Sequence, residues 1–311
     1  MTVAIVSVIV LLSVGVILLI AGYFCFLHAC ARNPLRDPYH NGVVDLAKYE
    51  RRGAEHLEAI KAFETIEKET VCIKASDGLK LVGSYIPCTE KTNKLIIAFH
   101  GYRSCAASDF SRITPSLLAR GYSLLLPDQR SHGRSEGKYI GFGALERYDC
   151  RAWCEYAIER FGKDTEIYLY GLSMGAATVM MSADTGLPKN VRAIVADCGF
   201  TSPWAVIKHR LKLKYKLPPV PTIYFMNYWS RNLAGYDYRS ASAADTLKKT
   251  DIPVLIIHGA EDVVVPVQMS YDNHSAGGNT TLCIYEGVHH TRAYSSDPER
   301  YEKEFFEFLN R

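Results

Sequence analysis

Six short apolar runs, KLIIAFH, YSLLLPD, EIYLYG, VRAIVAD, IPVLIIHG and TLCIYEG, recur along the chain, and most are separated by stretches with helical character. Hydrophobicity that is continuous along a strand means both of its faces are covered, and helix-length separations mean that neighbouring strands run parallel. Upstream, VCIKASDGLKLVGSYIP alternates apolar and polar residues on either side of Asp77-Gly78, the pattern of an antiparallel hairpin. The expected architecture is α/β, a mostly parallel sheet with helices on both faces. At 311 residues, 48% hydrophobic and 22% charged, the chain is long enough for one such domain and something more.

The additional part is N-terminal. MTVAIVSVIVLLSVGVILLIAGYFCFL carries no Lys, Arg, Asp or Glu and exceeds the roughly 20 apolar residues that cross a bilayer. A cleaved signal peptide has a basic leader and an apolar region of about 7 to 15 residues, neither of which is present. The segment is read as a retained single-pass transmembrane helix over residues 1–29. Arg32, Arg36, Lys48, Arg51 and Arg52 follow it and no basic residue precedes it, which favours a cytoplasmic domain, with the outward orientation as the alternative.

A net charge of +3 and no basic stripe interleaved with aromatics give no nucleic-acid footprint. Nine cysteines without a C-x-x-C pair or a His-rich partner point to free thiols, not to a metal site. No metal and no organic cofactor is expected. RNPLRDPYHNG reads as a juxtamembrane linker, and Val43 to Thr70 as an amphipathic helix bent near Gly53, so residues 30–70 connect the anchor to a domain spanning 71–311. Between DCGFTS and IPVLIIHG lies an insertion, 203–249, basic first and aromatic later, which is a candidate lid.

IYLYGLSMGAATVMM sets Gly171-Leu172-Ser173-Met174-Gly175 between a strand and an apolar helix. A tight strand-to-helix turn admits only small residues beside its apex and projects the Ser173 hydroxyl at the sheet's edge, over a helix N-terminus. Hydroxyls are weak nucleophiles at neutral pH, so a base and an orienting carboxylate are needed; on this architecture they follow in the chain order serine, acid, histidine. Asp262, in LIIHGAEDVVVP, is the favoured acid; Asp197, in VADCGF, also follows a strand and is its rival. The base comes from the pair His289-His290 in YEGVHHTRAY. Two backbone N–H groups should receive an oxyanion, those of Tyr102, after FHG, and of Met174.

Together FHGY, PDQRSHGRSEG, GLSMGAATVMM, ADCGFTS, HGAEDVVVP and GVHHTRAY resemble the α/β-hydrolase superfamily. More narrowly, they look like membrane-anchored or secreted bacterial hydrolases related to the serine aminopeptidase and acyl-peptide hydrolase branches, over about Val71 to Arg311. The resemblance implies a G-x-x-H motif, which laid on GVHHT selects His290, and a structural role for the loop from Asp128 to Ser135. It implies a serine hydrolase acting on a small-molecule ester or related acyl bond, with a small-peptide or acyl-peptide amidase as the alternative. A non-catalytic membrane scaffold is the reading from another class, and it requires a lost triad member.

Overall fold

The computed structural model describes residues 2–40, 43–49, 53–216 and 218–311. Its centre is an eight-stranded sheet of β1 (Glu69–Lys74), β2 (Lys80–Ile86), β3 (Lys94–Phe99), β4 (Ser123–Pro127), β5 (Glu166–Leu172), β6 (Val191–Asp197), β7 (Val254–Gly259) and β8 (Thr280–Tyr285). The strand order is β8-β7-β6-β5-β3-β4-β2-β1. Only β2 runs antiparallel to its neighbours, β1 and β4; Asp77-Gly78 lies in the β1–β2 turn. The strands from β4 through β3 to β8 are all parallel; the order turns back at β3, between β4 and β5, and the strand ends there open a crevice suited to a site.

The longer helices are α1 (Thr2–Cys30), α2 (Ala54–Thr65), α3 (Glu146–Phe161), α4 (Met174–Ser182), α5 (Pro203–Tyr215), α6 (Pro219–Trp229), α7 (Gln268–Ala276) and α8 (Pro298–Leu309). Successive side chains of a strand point to opposite faces. Leu95, Ile97 and Phe99 of β3 accordingly enter one core with Trp153 and Met180, whereas Ile96 and Ala98 enter a second with Phe110 and Phe305. Strand β7 divides the same way, with Val254 and Ile256 on one face and Leu255 and Ile257 on the other. Both faces are filled, which is why these strands carry continuous apolar runs.

Residues 30–70 depart from the sequence expectation. The helix begins only at Ala54, behind Gly53 at φ 99°. Upstream, Val43–Val44 pairs with Tyr39–His40 and Leu46–Lys48 forms one 3-10 turn. Val44 and Tyr49 are buried individually, so their apolar surface is satisfied by docking and not by one helical face. Glu69 and Thr70 already belong to β1. The proline-rich segment is docked rather than loose: Ala31 bridges Tyr139, and the Arg32 guanidinium donates to the Ser135 and Gly133 carbonyls at 2.6 and 2.5 Å.

Helix α1 is long and apolar enough to cross a membrane. Its side chains are exposed over most of Ala4–Ile20, but its last third packs on the protein. Trp229 of α6 donates its indole N–H to the Leu19 carbonyl at 2.9 Å, and the Tyr23 and Trp229 rings meet at 5.0 Å. Phe26 and Cys30 are fully buried, and the Cys30 thiol sits 3.2 Å from the Tyr238 hydroxyl.

Candidate active site

Ser173 occupies the sharp turn between β5 and α4 with φ 54° and ψ −111°, a backbone region that ordinary residues avoid. The turn is enforced by packing. A Cβ on Gly175 would collide with the Phe99 carbonyl oxygen, and one on Gly171 with the Gly175 carbonyl. The elbow therefore lies directly against β3, and only glycine fits at either flank. Ser173 N–H donates to the Asp197 carbonyl at 2.8 Å, fixing the apex over β6.

Two loops bring partners to the hydroxyl. After β7, Asp262 is held by the Val264 and Val265 amides, which donate to its Oδ1 at 2.8 and 2.9 Å. After β8, the chain returns across β7, where Gly259 leaves room for the Val288 carbonyl and Glu261 N–H donates to that carbonyl at 3.0 Å. His290 then lies with Nδ1 2.5 Å from Asp262 Oδ2 and Nε2 2.9 Å from Ser173 Oγ. The adjacent His289 points away, with Nδ1 2.9 Å from the Glu261 carbonyl and its side chain 68% exposed.

Burial of the Asp262 carboxyl would raise its pKa, but hydrogen bonds from His258 and His290, the charge on His290 and the Val265 amide together hold it well below the usual carboxylate range. It stays ionised. His258, at the end of β7, lies with Nε2 3.1 Å from Asp262 Oδ2 and 2.9 Å from the Val265 carbonyl, while Nδ1 is 2.6 Å from the Ser270 hydroxyl. This network assigns the proton to Nε2, with Nδ1 accepting from Ser270. His258 was not anticipated; its signal in the sequence is a histidine ending a strand four residues before the acid.

Asp197 takes a different environment. It is buried, accepts from the Tyr301 hydroxyl at 3.0 Å, and Tyr301 in turn meets Tyr170 at 2.9 Å. Burial pushes its pKa up to about 6 against the Tyr301 bond and the charges of His258 and His290. His290 contacts Asp262 and not this rival.

Opposite the serine, Gly101 lies against Ser173 Cβ and Leu172, so Tyr102 follows at the edge of Ser173. The N–H of Met174 opens α4, where first-turn amides lack an intrahelical partner. Gly101 N–H itself is taken by Asp109 Oδ2 at 2.7 Å. His100 supports this loop: it receives the Gln129 N–H on Nε2 at 3.0 Å and holds the Gly101 carbonyl through Nδ1 at 2.8 Å. The loop after β4 is likewise braced by ion pairs, Asp128 with Arg134 at 2.8 Å and Arg130 with Asp149 at 2.6 Å.

Ser173, Tyr102 and Met174 face one largely apolar cavity of about 130 Å³, whose wall includes Phe142, Ile207 and Met226. Arg210 and Lys214 are its charged lining residues. Among the described residues one trio approaches metal-like spacing, Cys198, Asp262 and His290, with ligand atoms within 4.8 Å of one another. Its carboxylate and imidazole are already bonded to each other, and burial drives the Cys198 thiol well above its ordinary pKa, away from the thiolate a metal takes.

The strand order, the elbow between β5 and α4, and loops after β7 and β8 converging on it define an α/β-hydrolase. The chain has the α/β-hydrolase fold, and esterases are among the proteins it resembles. A family profile described as serine aminopeptidase, S33, matches residues 90–234. An esterase of Pyrococcus furiosus superposes with a TM-score of 0.64 at 26% identity, covering 80% of this chain and 93% of that one. The uncharacterized protein YqkD of Bacillus subtilis is 27% identical over 256 residues, 81% of this chain and 83% of its own. Caffeoylshikimate esterase of Arabidopsis thaliana is 24% identical over 265 residues, 73% of this chain and 79% of that protein.

Proposed function

We propose that the protein is a serine hydrolase that cleaves a carboxylic ester, or a related acyl bond, through an acyl-enzyme. The observation that carries this reading is the hydrogen-bonded line from Ser173 Oγ through His290 to Asp262, at 2.9 and 2.5 Å, beside an apolar cavity. Ser173 attacks the acyl carbonyl while His290 Nε2 takes its proton. Asp262 holds the resulting imidazolium, and the N–H groups of Tyr102 and Met174 receive the oxyanion. His290 then returns the proton to the leaving group, and water repeats the sequence to release the acid.

The esterase relatives favour an ester substrate. The serine aminopeptidase profile favours a second reading, hydrolysis of a small-peptide or acyl-peptide amide by the same residues. A panel of p-nitrophenyl esters and aminoacyl amides separates the two.

The domain arrangement belongs to the same proposal: an anchor over residues 1–29 retained in a membrane, a catalytic unit over 71–311, and residues 203–249 acting as a lid. Retention is supported by the burial of Phe26 in the domain, since cleavage after the apolar segment would strip it from the core and leave buried Cys30 at a new N-terminus. Ser173→Ala is expected to abolish fluorophosphonate labelling and to lower turnover on the order of a million-fold. Thermal unfolding should be little changed, because one hydroxyl is removed at a turn the glycines already permit. Near-normal esterase activity in a clean preparation of this variant would falsify the mechanism.

A further inference from the structure

The end of α1 does not stop short of the catalytic residues. Cys25 and Ala29 face the same cavity as Ser173. The Tyr102 hydroxyl donates to the Ala29 carbonyl at 2.7 Å, and the Arg103 guanidinium donates to the carbonyls of His28 and Ala31 at 2.8 and 3.2 Å. The last carbonyls of a helix lack intrahelical partners. Here the loop that carries a proposed oxyanion donor satisfies two of them, those of His28 and Ala29. The terminal turns of the apolar helix thus form one wall of the cavity and tie the loop opposite the nucleophile.

The position of that wall along α1 has a consequence for substrate. At about 1.5 Å per residue, roughly 20 residues from Ala4 traverse a hydrocarbon core of about 30 Å and end near Tyr23. Cys25 and Ala29 then lie about 3 to 9 Å beyond it, at the depth of the headgroups. Trp229, which grips Leu19 and meets the Tyr23 ring, sits just inside the edge of that core, and α6 presents Val220, Tyr224 and Tyr228 to the outside, each at least half exposed. Aromatic side chains with a polar end favour that interface. The cavity wall built by Cys25 and Ala29 of α1 and Met226 of α6 is therefore apolar and lies next to the end of the membrane-length segment. The cavity, at about 130 Å³, is close to the roughly 150 Å³ that encloses a benzene ring, so it takes only the first several carbons while the rest of a chain stays outside.

We propose that the last two turns of α1 are a specificity-determining wall of the acyl pocket, and that the substrate is a membrane-borne acyl ester entering from the bilayer that holds the helix. This rests on the serine hydrolase reading above and names the substrate class of that site. Ala29 sets the room beside the nucleophile, and Tyr102 acts through its hydroxyl as a positioning residue.

The test uses the full chain in phosphatidylcholine nanodiscs, with p-nitrophenyl acetate and p-nitrophenyl decanoate as probes. Wild-type protein should prefer the decanoate, and Ala29→Leu, which fills the wall on a good helix former, should lower the decanoate-to-acetate ratio of kcat/KM at least tenfold. Tyr102→Phe keeps the backbone N–H and removes the hydroxyl's tie to Ala29; kcat should fall severalfold with KM little changed. A fluorogenic long-chain glyceride should be cleaved at least ten times faster when reconstituted in the same vesicle as the enzyme than when offered in separate vesicles. A chain-length ratio unmoved in a folded Ala29→Leu protein, or equal rates in the two vesicle formats, overturns the inference while leaving the hydrolase reading intact. Wild-type protein inert to both esters would sink that reading and this one with it.

Discussion

The two adjacent histidines differ in one respect that decides their chemistry: His290 spans a carboxylate and a hydroxyl, whereas His289 bonds only a backbone carbonyl from an exposed position. His289→Ala should therefore stay within about tenfold of the parent, while His290→Ala should lose most of the rate that depends on taking the serine proton, typically about a hundredfold or more. Assaying both variants against one activated ester checks the assignment, and a dead His289→Ala beside an active His290→Ala reverses it. Asp197 makes a separate prediction. Its carboxyl, raised to about 6 in the fold against about 3.9 when unfolded, favours the protonated state. The associated stability is fully present below about pH 3.9 and is lost as pH rises through about 6, a difference of roughly 2–3 kcal/mol. Asp197→Asn, which keeps an acceptor for Tyr301, should flatten the change in melting temperature between pH 4 and 6; an unaltered pH dependence there would show that another group is responsible. Ser173, Asp262 and the histidine pair were legible because each falls in a short motif after a strand. His258 was not, since its bond to Asp262 exists only once the loop after β7 has curled back over the strand end.

At the level of elements, the strand–turn–helix around Ser173 depends on close contact between β5, α4 and β3. A methyl group on Gly175 has nowhere to go, because the atom it meets is backbone of a central strand and not the tip of a flexible side chain. Gly175→Ala is expected to destabilise the domain by about 3 kcal/mol, in the range of overpacked cores, and to slow fluorophosphonate labelling through displacement of Ser173. Calorimetry together with labelling rates tests this; a variant with parental stability and labelling would mean that the elbow is more yielding than its packing implies. The same elements explain where sequence reading succeeds. Runs such as KLIIAF are read correctly because each alternate side chain enters a different core, leaving no polar face. The region before Ala54 was misread because mixed charge and apolar spacing mimic an amphipathic helix, while Val44 and Tyr49 are used one at a time as docking points. Nothing in local periodicity distinguishes these uses.

At the scale of the whole molecule, the anchor proposed for α1 raises the question of which side of a membrane would carry the domain. The positive-inside tendency counts basic residues near the end of an apolar segment, and here all of them follow it. The fold adds a reason for Arg32 to be there, since its guanidinium is engaged by the Ser135 and Gly133 carbonyls, so that charge serves the domain and weighs less as a topological signal. Arg36, Lys48, Arg51 and Arg52 remain in the same short segment. All nine cysteines are unpaired, five of them buried, an arrangement at home in a reducing compartment, where disulfides seldom persist. We therefore predict that the domain faces the cytoplasm. Cys72 offers a direct readout because it is exposed on β1, at the sheet edge far in strand order from β7 and β8. In intact cells expressing the full chain, a membrane-impermeant maleimide should leave Cys72 unlabelled and external protease should leave the C-terminal domain whole; permeabilisation should expose both. A Cys72→Ser control identifies the labelled thiol. Labelling and digestion without permeabilisation would place the hydrolase outside and require its substrate to be drawn from the outer leaflet.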